Sequence, residues 1–437
     1  MADFRFNLRA FHVPVGIAYA IFDDRPITTN KFVVGKMAFR DHQTFSLLVD
    51  DHQTQSTANS QSEAALPVHY HAGGFPPGEL NLGAIFPLVG PANAAIARYE
   101  GVLAGIPNPN ILLSPLTVRE AVLSSKIEGT QVTLGEVLEF EAHGNLLDEN
   151  TPKKADAREV LNYRAALNEA TRMMADGLPL SQRLIKAAHQ VLMDGVRGRG
   201  KAPGEYRRIP NWIGPEGCTI EQARFVPPAA DRIEGAMSAW ENYIHGEAPD
   251  RLVQLAVVHA EFESIHPFLD GNGRLGRLII PLFLYTHGLL SRPNFYLSEY
   301  LEANREEYYD RLLAVSRNSD WTGWVAFFLQ GIIAQAEVNT RKAQAILKLH
   351  QEKRDWVVEV THSQYAVRAL DWIFQRPIFQ TPDFIQAAQI PGPTARTIVR
   401  ALRDNGMLRE VVPASGRAPA TFMFGELLNI AEGRDIF

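Results

Sequence analysis

The chain has 437 residues, of which 46% are hydrophobic and 21% charged, an ordinary composition for a folded globular protein. Its length predicts several domains, since a single hydrophobic core seldom grows beyond about 250–300 residues. The 43 basic and 49 acidic side chains give a formal charge of −6, which argues against a dominant polybasic surface for nucleic acid or membranes.

Cysteine usage and the lack of a long apolar run narrow the class of protein further. Cys218 is the single cysteine, so the chain can form neither an internal disulfide nor a cysteine-based zinc cage. A lone cysteine also favours a reducing compartment, and we therefore predict a cytoplasmic protein. The best apolar run, residues 278–290, is shorter than the about 20 residues that a membrane span requires, so no membrane partner is expected.

The first 65 residues differ in texture from the rest of the chain. Residues 39–63 are rich in Asp, His, Gln and Ser, and this polar tract predicts a poorly ordered extension over residues 1–65. A loop punctuated by prolines as far as Pro87 follows, and then the spacing predicts a helix over residues 92–103. We assign residues 66–150 to an N-terminal helical region.

The next helix, over residues 114–129, has clear start and stop signals. Ser114 is a candidate N-cap, Pro115 suits the first helical position, and Gly129 suits the residue after the end. The same periodicity predicts later helices at 153–175, 181–194 with Ser181 as cap, 229–245, 251–264 with Asp250 as cap, 273–288, 299–316 and 320–355.

Two regions do not fit a plain helical pattern. Residues 203–228 are rich in Gly, Pro, aromatic and β-branched residues, and two short extended pieces around Gly214–Gly217 predict a β-hairpin. Residues 356–437 alternate short helices with turns and end in two strands around Ser415 and Gly416. That pattern is typical of a winged helix-turn-helix domain.

The densest chemical signal is the stretch His-Pro-Phe-Leu-Asp-Gly-Asn-Gly-Arg-Leu-Gly-Arg over residues 266–277. A helix ends at its histidine, and a new helix begins near Arg274 after two glycines, so free backbone N–H groups make an anion nest there. Arg274 and Arg277 lie three residues apart beside the nest and suit a polyphosphate. Asp270 offers the hard oxygen ligand that Mg²⁺ uses beside phosphates, and His266 is a candidate general base.

Four other interpretations of this stretch are weaker. Residues 271–276 match the Gly-x-Gly-x-x-Gly dinucleotide fingerprint, but a helix rather than a strand precedes them, and the Gly-Lys-Ser/Thr end of a Walker A motif is absent. His259, Glu263 and His266 share one helix face as zinc ligands would, but the HExxH order is missing. A plain glycine-rich turn explains each residue singly but not their concentration in one short stretch.

The complete HPFxDGNGRxxR signature resembles that of the Fic family. The resemblance implies a mainly α fold, a Fic-type helical bundle with a small β-hairpin flap, whose catalytic domain spans residues 151–355. It also implies transfer of AMP from ATP to a protein, with His266 deprotonating a Ser, Thr or Tyr hydroxyl and Asp270 holding Mg²⁺. The resemblance implies that the α- and β-phosphates are held by Gly271, Asn272 and Gly273 with help from Arg274, and the γ-phosphate by Arg277. Leu275 and Gly276 of the same signature are further candidates for cofactor binding.

Two further segments fit the same resemblance. The hairpin at residues 203–228 looks like the family's flap, in which Phe225 and Val226 would pair in β-fashion with a protein substrate. Residues 296–309 resemble the segment that closes over the adenosine, although a tyrosine pair on an amphipathic helix equally fits packing. The candidates in that segment are Asn304, Tyr308 and Tyr309.

The sequence Ser124-Ser-Lys-Ile-Glu128-Gly129 fits the family's inhibitory pattern, (Ser/Thr)-x-x-x-Glu-(Gly/Asn). Ser124 and Glu128 are four residues apart and so share one helix face. The resemblance implies that Glu128 pairs with Arg277, the residue meant for the γ-phosphate, so that ATP binds unproductively. The alternative for Glu128 is a solvated glutamate at a helix end.

Several functions stay open at this stage. The same fold could remove AMP, or transfer UMP, phosphocholine or phosphate, and self-modification and a homodimer are also open. A nucleotide-sensing DNA-binding regulator is the alternative from another class, because Arg396, Arg400 and Arg403 form one basic face of the predicted helix 394–404. Residues 362–437 hold 8 Lys or Arg and 7 Asp or Glu, so protein docking or dimerisation suits this module as well as DNA does.

Overall fold

The computed structural model describes residues 66–143, 151–195, 200–215 and 217–437, so the predicted extension over residues 1–65 lies outside the described part. The described residues belong to one compact unit that is mainly helical, as the sequence predicts. Its helices are α1 (Leu82–Ala104), α2 (Pro109–Leu112), α3 (Ser114–Ile127), α4 (Leu134–His143), α5 (Pro152–Ala175), α6 (Gln182–Leu192), α7 (Ile233–His245), α8 (Arg251–Ile265), α9 (Asn272–Thr286), α10 (Ser298–Ala303), α11 (Arg305–Asn318), α12 (Trp321–Thr361), α13 (Ala366–Gln375), α14 (Thr381–Ala387), α15 (Gly392–Asp404) and α16 (Gly425–Glu432). Its strands are β1 (Val68–His69), β2 (Phe225–Val226), β3 (Ile378–Gln380), β4 (Arg409–Val412) and β5 (Thr421–Met423).

Helices α8 and α9 form the centre of the molecule and hold the 266–277 signature between them. Apolar residues on all sides of both helices are fully buried, for example Leu255 and Val258 in α8 and Leu278 and Phe283 in α9. A helix that is apolar all round lies inside a core rather than at a surface. The loop between the two helices is therefore anchored in the core at both ends. Among the described helices, none combines the length and the apolar character that crossing a bilayer requires.

Local capping chemistry sets two of the helix starts that the sequence predicts. Ser181 caps α6 by accepting a hydrogen bond from the Leu184 N–H, and Asp250 caps α8 by accepting from the first free N–H groups of that helix. Ser114 is one residue past the N-cap of α3, which is Leu113. Its hydroxyl instead donates to the Gln375 carbonyl at 3.0 Å, a tertiary contact that the local pattern does not reveal.

Helix α1 starts much earlier than the predicted position at residue 92. It contains Pro87 and Pro91, both on its exposed side. Each proline removes one helical hydrogen bond. The helix forms nevertheless because its opposite face, which includes the fully buried Tyr99, packs along the long helix α12.

The predicted hairpin over residues 203–228 is reduced to one antiparallel bridge between Ile213 and Phe225. The Ile213 N–H donates to the Phe225 carbonyl at 2.9 Å, and the Phe225 N–H donates to the Ile213 carbonyl at 3.0 Å. Pro215 and Pro227 lie just beyond these residues. Proline has no N–H to donate, so the ladder cannot extend further in either direction.

The predicted helix over residues 299–316 is divided in two at Asn304, whose φ of −115° and ψ of 36° are not helical. The sequence pattern also missed α2, α4 and α16, which are short. Helix α12 continues to Thr361, so the predicted domain boundary between residues 355 and 356 falls inside an unbroken helix.

The C-terminal part of the chain contains the predicted short helices and strands in the predicted order. Strands β3 and β4 each pair antiparallel with β5, and α13, α14 and α15 accompany this small sheet. Helices α13, α15 and α16 also pack on α12, which ties the module to the rest of the molecule. That the module is a winged helix-turn-helix domain stays a prediction.

Candidate active site

The signature loop is held in shape by its own side chains. His266 ends α8 with φ 49° and ψ 60°, the left-handed region that non-glycine residues seldom adopt. The Asn272 side chain accepts a hydrogen bond from the Phe268 N–H at 2.9 Å and donates to the Phe268 carbonyl at 2.8 Å. Asn272 therefore closes the loop with its side chain, and only its backbone is left for the predicted phosphate contact.

Glycine is required at two positions where the loop enters α9. Gly271 has φ +78°, and a Cβ there would lie 2.9 Å from the Met193 sulfur. At Gly273 a Cβ would lie 2.2 Å from Glu128 Oε1. The first turn of α9 therefore exposes its backbone to the Glu128 carboxylate oxygen, as expected for an anion nest at a helix N-terminus.

His266 has the geometry of a general base. Its Nδ1 lies 3.4 Å from the Glu263 carbonyl, which can only accept a hydrogen bond, so Nδ1 carries the proton and Nε2 is the basic nitrogen. Burial lowers the pKa of His266 to about 4, because the charged imidazolium is poorly solvated there. The ring is therefore neutral at physiological pH, the state that a base needs.

The two signature arginines are both buried, and each is paired with carboxylates. Arg274 forms an ion pair with Glu159 of α5 and places its second amino group 3.3 Å from Asp270 Oδ1. Arg277, only 1% exposed, pairs with Glu128 at 2.6 Å.

Residues at the C-terminal end of α3 accept the hydrogen bonds of the Arg277 guanidinium. Arg277 Nε donates to the Ser124 hydroxyl at 2.9 Å, and Nη2 donates both to the Ser124 carbonyl at 2.8 Å and to Glu128 Oε1 at 2.6 Å. Burial alone would raise the pKa of Glu128, but the Arg277 charge and hydrogen bond reverse the effect and lower it. Gly129 follows with φ +104°, which lets the chain turn away directly after the glutamate.

Two residues of the signature that are predicted to bind the cofactor, Leu275 and Gly276, face the core. Leu275 is fully buried in the core, and its N–H donates to the Gly271 carbonyl at 3.0 Å. At Gly276 a Cβ would lie 2.2 Å from the Glu263 carboxylate, so this glycine is needed for packing between α8 and α9. Both positions therefore pack in the core of the resting structure, and the cofactor binding predicted for Leu275 and Gly276 stays a prediction.

The three adenosine candidates have different surroundings. Tyr308 is fully buried with its hydroxyl 3.0 Å from His259 Nε2, so it packs in the core here, and the adenosine contact predicted for it stays a prediction. Tyr309 is half-buried and directs its hydroxyl at the Ile127 carbonyl, 3.4 Å away at the end of α3. Asn304 donates to the Tyr300 carbonyl at 2.9 Å at the break between α10 and α11.

The zinc alternative also fails on His259. Its Nδ1 lies 3.1 Å from the Gly276 carbonyl and its Nε2 bonds Tyr308, so both ring nitrogens are used inside the core. Within the ranges described, no group of three or more His, Cys, Asp or Glu side chains is arranged to hold a metal ion. A divalent ion here would have one protein carboxylate, Asp270, which is 40% exposed and whose Oδ1 accepts from the Gly271 N–H. This suits a Mg²⁺ that takes its other ligands from a nucleotide and water.

Strand β2 of the flap already has a partner on each edge. Phe225 faces Ile213 on one edge, and on the other edge Val68 and Tyr70 donate their N–H groups to the Arg224 and Val226 carbonyls at 3.2 and 3.0 Å. Val68, Phe225 and Leu313 form a small apolar cluster of their own. His71, which follows Tyr70 in the chain, has its Nε2 atom 2.8 Å from the Glu261 carboxylate on α8, and this contact anchors residues 68–71 to α8.

Two buried residues near the loop were missed because each stands alone in the sequence. His189 accepts from the Gly204 N–H at 2.8 Å and donates to the Asp270 carbonyl at 3.0 Å, while its ring stacks on Phe268. Arg207 donates a hydrogen bond from Nε to the backbone carbonyl of His266 at 2.9 Å. Neither residue belongs to a recognisable motif, and only the folded chain brings them to the site.

The basic face predicted on residues 394–404 is partly neutralised. Arg403 pairs with Asp404 at 2.8 Å and lies 3.7 Å from Glu410. Arg396 and Arg400 line a cleft of about 510 Å³ between α14, α15 and β5. DNA binding through this helix stays a prediction.

Comparisons with known proteins converge on one family. Two family models match in tandem, "Fic/DOC family N-terminal" over residues 86–172 and "Fic/DOC family" over residues 179–284. A "Probable protein adenylyltransferase" of Aquifex aeolicus is 27% identical over 208 residues, which are 47% of this chain and 60% of that protein. The "Protein adenylyltransferase Fic" of Drosophila grimshawi is 27% identical over 173 residues, 37% of this chain and 32% of that protein.

A third relative carries a different name. The "Uridine 5'-monophosphate transferase" of Xanthomonas campestris pv. campestris is 27% identical over 138 residues, 30% of this chain and 26% of that protein. The chain thus matches less than two thirds of the length of each of these relatives. Among solved structures, a Fic family protein from Desulfovibrio desulfuricans G20 aligns with a TM-score of 0.49 at 22% identity, covering 78% of this chain and 95% of that one. The two family models match side by side and the second spans the whole 266–277 loop, so this chain resembles the Fic/DOC family over residues 86–172 and 179–284.

Proposed function

We propose that this protein transfers AMP from ATP to a hydroxyl group of a Ser, Thr or Tyr in a protein, and that Glu128 inhibits it at rest. The observation that carries the proposal is the arrangement of three groups around the start of α9. A neutral, half-buried His266, the bare backbone at Gly273 and the buried cation Arg277 surround one place, and a carboxylate from another helix occupies it. A basic nitrogen beside an anion nest and a guanidinium suits attack of a hydroxyl on a polyphosphate.

The chemistry follows from these positions. Nε2 of His266 removes the proton of the target hydroxyl, whose oxygen forms a bond to the α-phosphorus of ATP. The bond from that phosphorus to the oxygen bridging to the β-phosphate breaks, and pyrophosphate leaves. The N-terminus of α9 and Arg277 would neutralise the phosphate charge. Asp270 is the residue that would hold Mg²⁺, which when bound adds further neutralisation of that charge.

Inhibition follows from competition for one cation. The Glu128 carboxylate accepts a hydrogen bond from Arg277 Nη2 and also lies beside Gly273, where a phosphate oxygen would approach the start of α9. A phosphate group and this carboxylate carry charge of the same sign and need the same donors. Productive binding of ATP therefore requires Glu128 to leave, and the free energy of that step sets the resting activity.

Transfer of UMP is the second candidate, supported by the similarity to a uridine 5'-monophosphate transferase. The nest, His266 and Arg277 recognise phosphate and hydroxyl groups and do not distinguish one base from another. Removal of AMP and transfer of phosphocholine or phosphate remain alternatives on the same grounds.

Intact-mass analysis of an acceptor protein tests these activities together. The Glu128→Gly variant is incubated with Mg²⁺ and ATP, UTP or CDP-choline in a cell lysate, and labelled proteins are purified and weighed. We expect the mass of AMP to be added with ATP, and Glu128→Gly/His266→Ala to add nothing. His362→Ala, an exposed histidine far along the chain, serves as the matched control for the loss of an imidazole. Addition of a phosphate alone, or of UMP in preference to AMP, would contradict the proposed reaction.

A further inference from the structure

Arg207 is a buried arginine that bonds only to backbone carbonyls. It is 2% exposed, and no carboxylate pairs with it among the residues that the structure describes. Nε donates to the His266 carbonyl at 2.9 Å, and Nη2 donates to the Pro228 carbonyl at 2.6 Å and to the Ile265 carbonyl at 3.4 Å. Nη1 donates to the Ile209 carbonyl at 3.3 Å.

These carbonyls belong to two different parts of the site. Those of Ile265 and His266 form the junction between α8 and the signature loop, and the Arg207 N–H extends the contact by donating to the Pro267 carbonyl at 2.9 Å. Those of Ile209 and Pro228 lie at the two ends of the flap, on either side of the bridge between residues 213 and 225. One planar guanidinium therefore joins both ends of the flap to the backbone of the candidate base.

The backbone at this junction needs outside support. His266 has a φ of +49°, which is unfavourable for a residue with a Cβ, and such a conformation persists only where surrounding contacts impose it. Arg207 supplies three of those contacts: its guanidinium donates to the Ile265 and His266 carbonyls, and its backbone N–H donates to the Pro267 carbonyl. A buried cation without a counter-ion is costly, so a position that served packing alone would suit an apolar residue better.

We propose that Arg207 is a positioning residue that fixes the place of His266 relative to the flap, and thereby the distance between the base and the hydroxyl of a protein bound beside the flap. The inference rests on the proposed function. A displacement of about 1 Å between reacting groups lowers a rate on the order of 100-fold. Arg207 makes no hydrogen bond to residues 271–277 in the described structure, so nucleotide binding should not depend on it.

Arg207 also has an electrostatic effect that gives the experiment a second readout. Burial is the main cause of the low pKa of His266, and the Arg207 charge lowers that pKa further. Replacing the guanidinium by a neutral group should raise the pKa of His266. The acid limb of the rate against pH should then move to higher pH, a change that loss of packing alone does not predict.

The experiment compares Arg207→Gln and Arg207→Lys with Arg208→Gln, all in the Glu128→Gly background. Arg208 is the matched control, because its side chain is 87% exposed and pairs only with the nearby Glu205. We expect Arg207→Gln to lower kcat for AMP transfer on the order of 100-fold, to leave the calorimetric Kd of ATP within about threefold, and to move the acid limb to higher pH. Arg207→Lys keeps the charge but not the planar fork, so its rate should fall while its acid limb stays in place. Arg208→Gln should change none of these.

A folded Arg207→Gln protein whose kcat and acid limb equal those of Arg208→Gln would overturn the proposal. If Arg207→Gln does not fold, Arg207→Lys decides the question by the same comparison of rates. Hydrogen exchange separates this inference from the proposed function. Faster exchange of the His266, Ile213 and Phe225 amides together in Arg207→Lys supports the coupling even if no variant transfers AMP, whereas unchanged exchange at those amides refutes it.

Discussion

Replacing Glu128 by glycine is the most direct test of the resting state. The change removes the carboxylate 2.6 Å from Arg277 and leaves that arginine bonded to the hydroxyl and carbonyl of Ser124. The guanidinium of Arg277 is then free to donate hydrogen bonds to a phosphate group. We expect faster AMP transfer and tighter binding of ATP in the Glu128→Gly variant than in the wild type.

The magnitude follows from how deeply each partner is buried. Loss of one partner of a fully buried ion pair costs about 3–5 kcal/mol, and an exposed pair contributes about 1 kcal/mol or less. Arg277 is buried, but the Glu128 side chain is 34% exposed, so solvent screens the pair and an intermediate value applies. We take roughly 1–3 kcal/mol as the free energy of the contact. At about 1.4 kcal/mol per tenfold change, the rate at low ATP should rise roughly 5- to 150-fold.

The assay measures initial rates of incorporation of AMP labelled at the α-phosphate, together with thermal unfolding with and without ATP. Glu128→Gly should unfold at a lower temperature than wild type without nucleotide, because Arg277 has lost its counter-ion. ATP should restore more of the melting temperature in the variant than in the wild type.

Neighbouring serines provide a matched pair of controls. Ser124 and Ser125 are both fully buried, and Ser124 bonds Arg277, whereas the Ser125 hydroxyl finds no hydrogen-bond partner among the residues that the structure describes. Ser124→Ala should raise activity slightly by loosening the arrangement of Arg277, and Ser125→Ala should not. Equal labelling by wild type and Glu128→Gly, with equal stabilisation of both by ATP, would refute the competition between carboxylate and phosphate.

Three further outcomes follow from the buried groups around the site. The pKa of His266 lies at about 4 in the resting protein, because burial disfavours the charged ring. The rate of AMP transfer should therefore stay constant as the pH falls from neutral and drop only near pH 4, where the ring becomes protonated. An acid limb near pH 6.5 in the rate profile would show that burial does not lower the pKa of the base. Burial raises the pKa of Glu120 from 4.5 to about 7, so its contribution to stability is fully present below 4.5 and is lost as the pH rises through 7. Glu120→Gln, which can keep both contacts with Ser298, should therefore be more stable than wild type at pH 8 but not at pH 4, as denaturant unfolding can show. His189→Phe should keep the stacking on Phe268 and lose the hydrogen bonds to Gly204 and Asp270, so AMP transfer should fall while the melting temperature changes little.

The parts of the site that the sequence predicted are those determined over short distances along the chain. Residues 266–277 form one helix end, one turn and one helix start, and Ser124 and Glu128 share a face through ordinary helical spacing. The contact between Glu128 and Arg277 joins residues far apart in sequence, and it was predicted only because both belong to motifs of one family. Periodicity alone could not supply it.

The features that were missed depend on long-range partners. The flap strand gains its second partner from residues 68–70, which no local pattern connects with residue 225. Arg207 and His189 belong to no sequence motif. Their contacts with the signature loop form only when the chain folds and brings distant segments together. Leu275 and Gly276 were assigned to the nucleotide because they lie within the signature, although the turn of α9 directs both toward the core.

A change of charge at two different glutamates should have opposite effects on activity. Glu128 lies at the end of α3 beside a glycine with positive φ and is a third exposed, so it can leave Arg277. Glu159 lies in the middle of the long helix α5, is 10% exposed, and pairs with the buried Arg274, which also reaches Asp270 at 3.3 Å. In Glu159→Gln, Arg274 would lose its main counter-ion and draw more strongly on Asp270, the carboxylate proposed to hold Mg²⁺. We therefore expect Glu128→Gly/Glu159→Gln to transfer AMP more slowly than Glu128→Gly and to need a higher Mg²⁺ concentration for half of its maximal rate. An increase in rate on loss of Glu159, or an unchanged dependence on Mg²⁺, would show that the two ion pairs are equivalent and that the position of Glu128 at a helix end has no special part in inhibition.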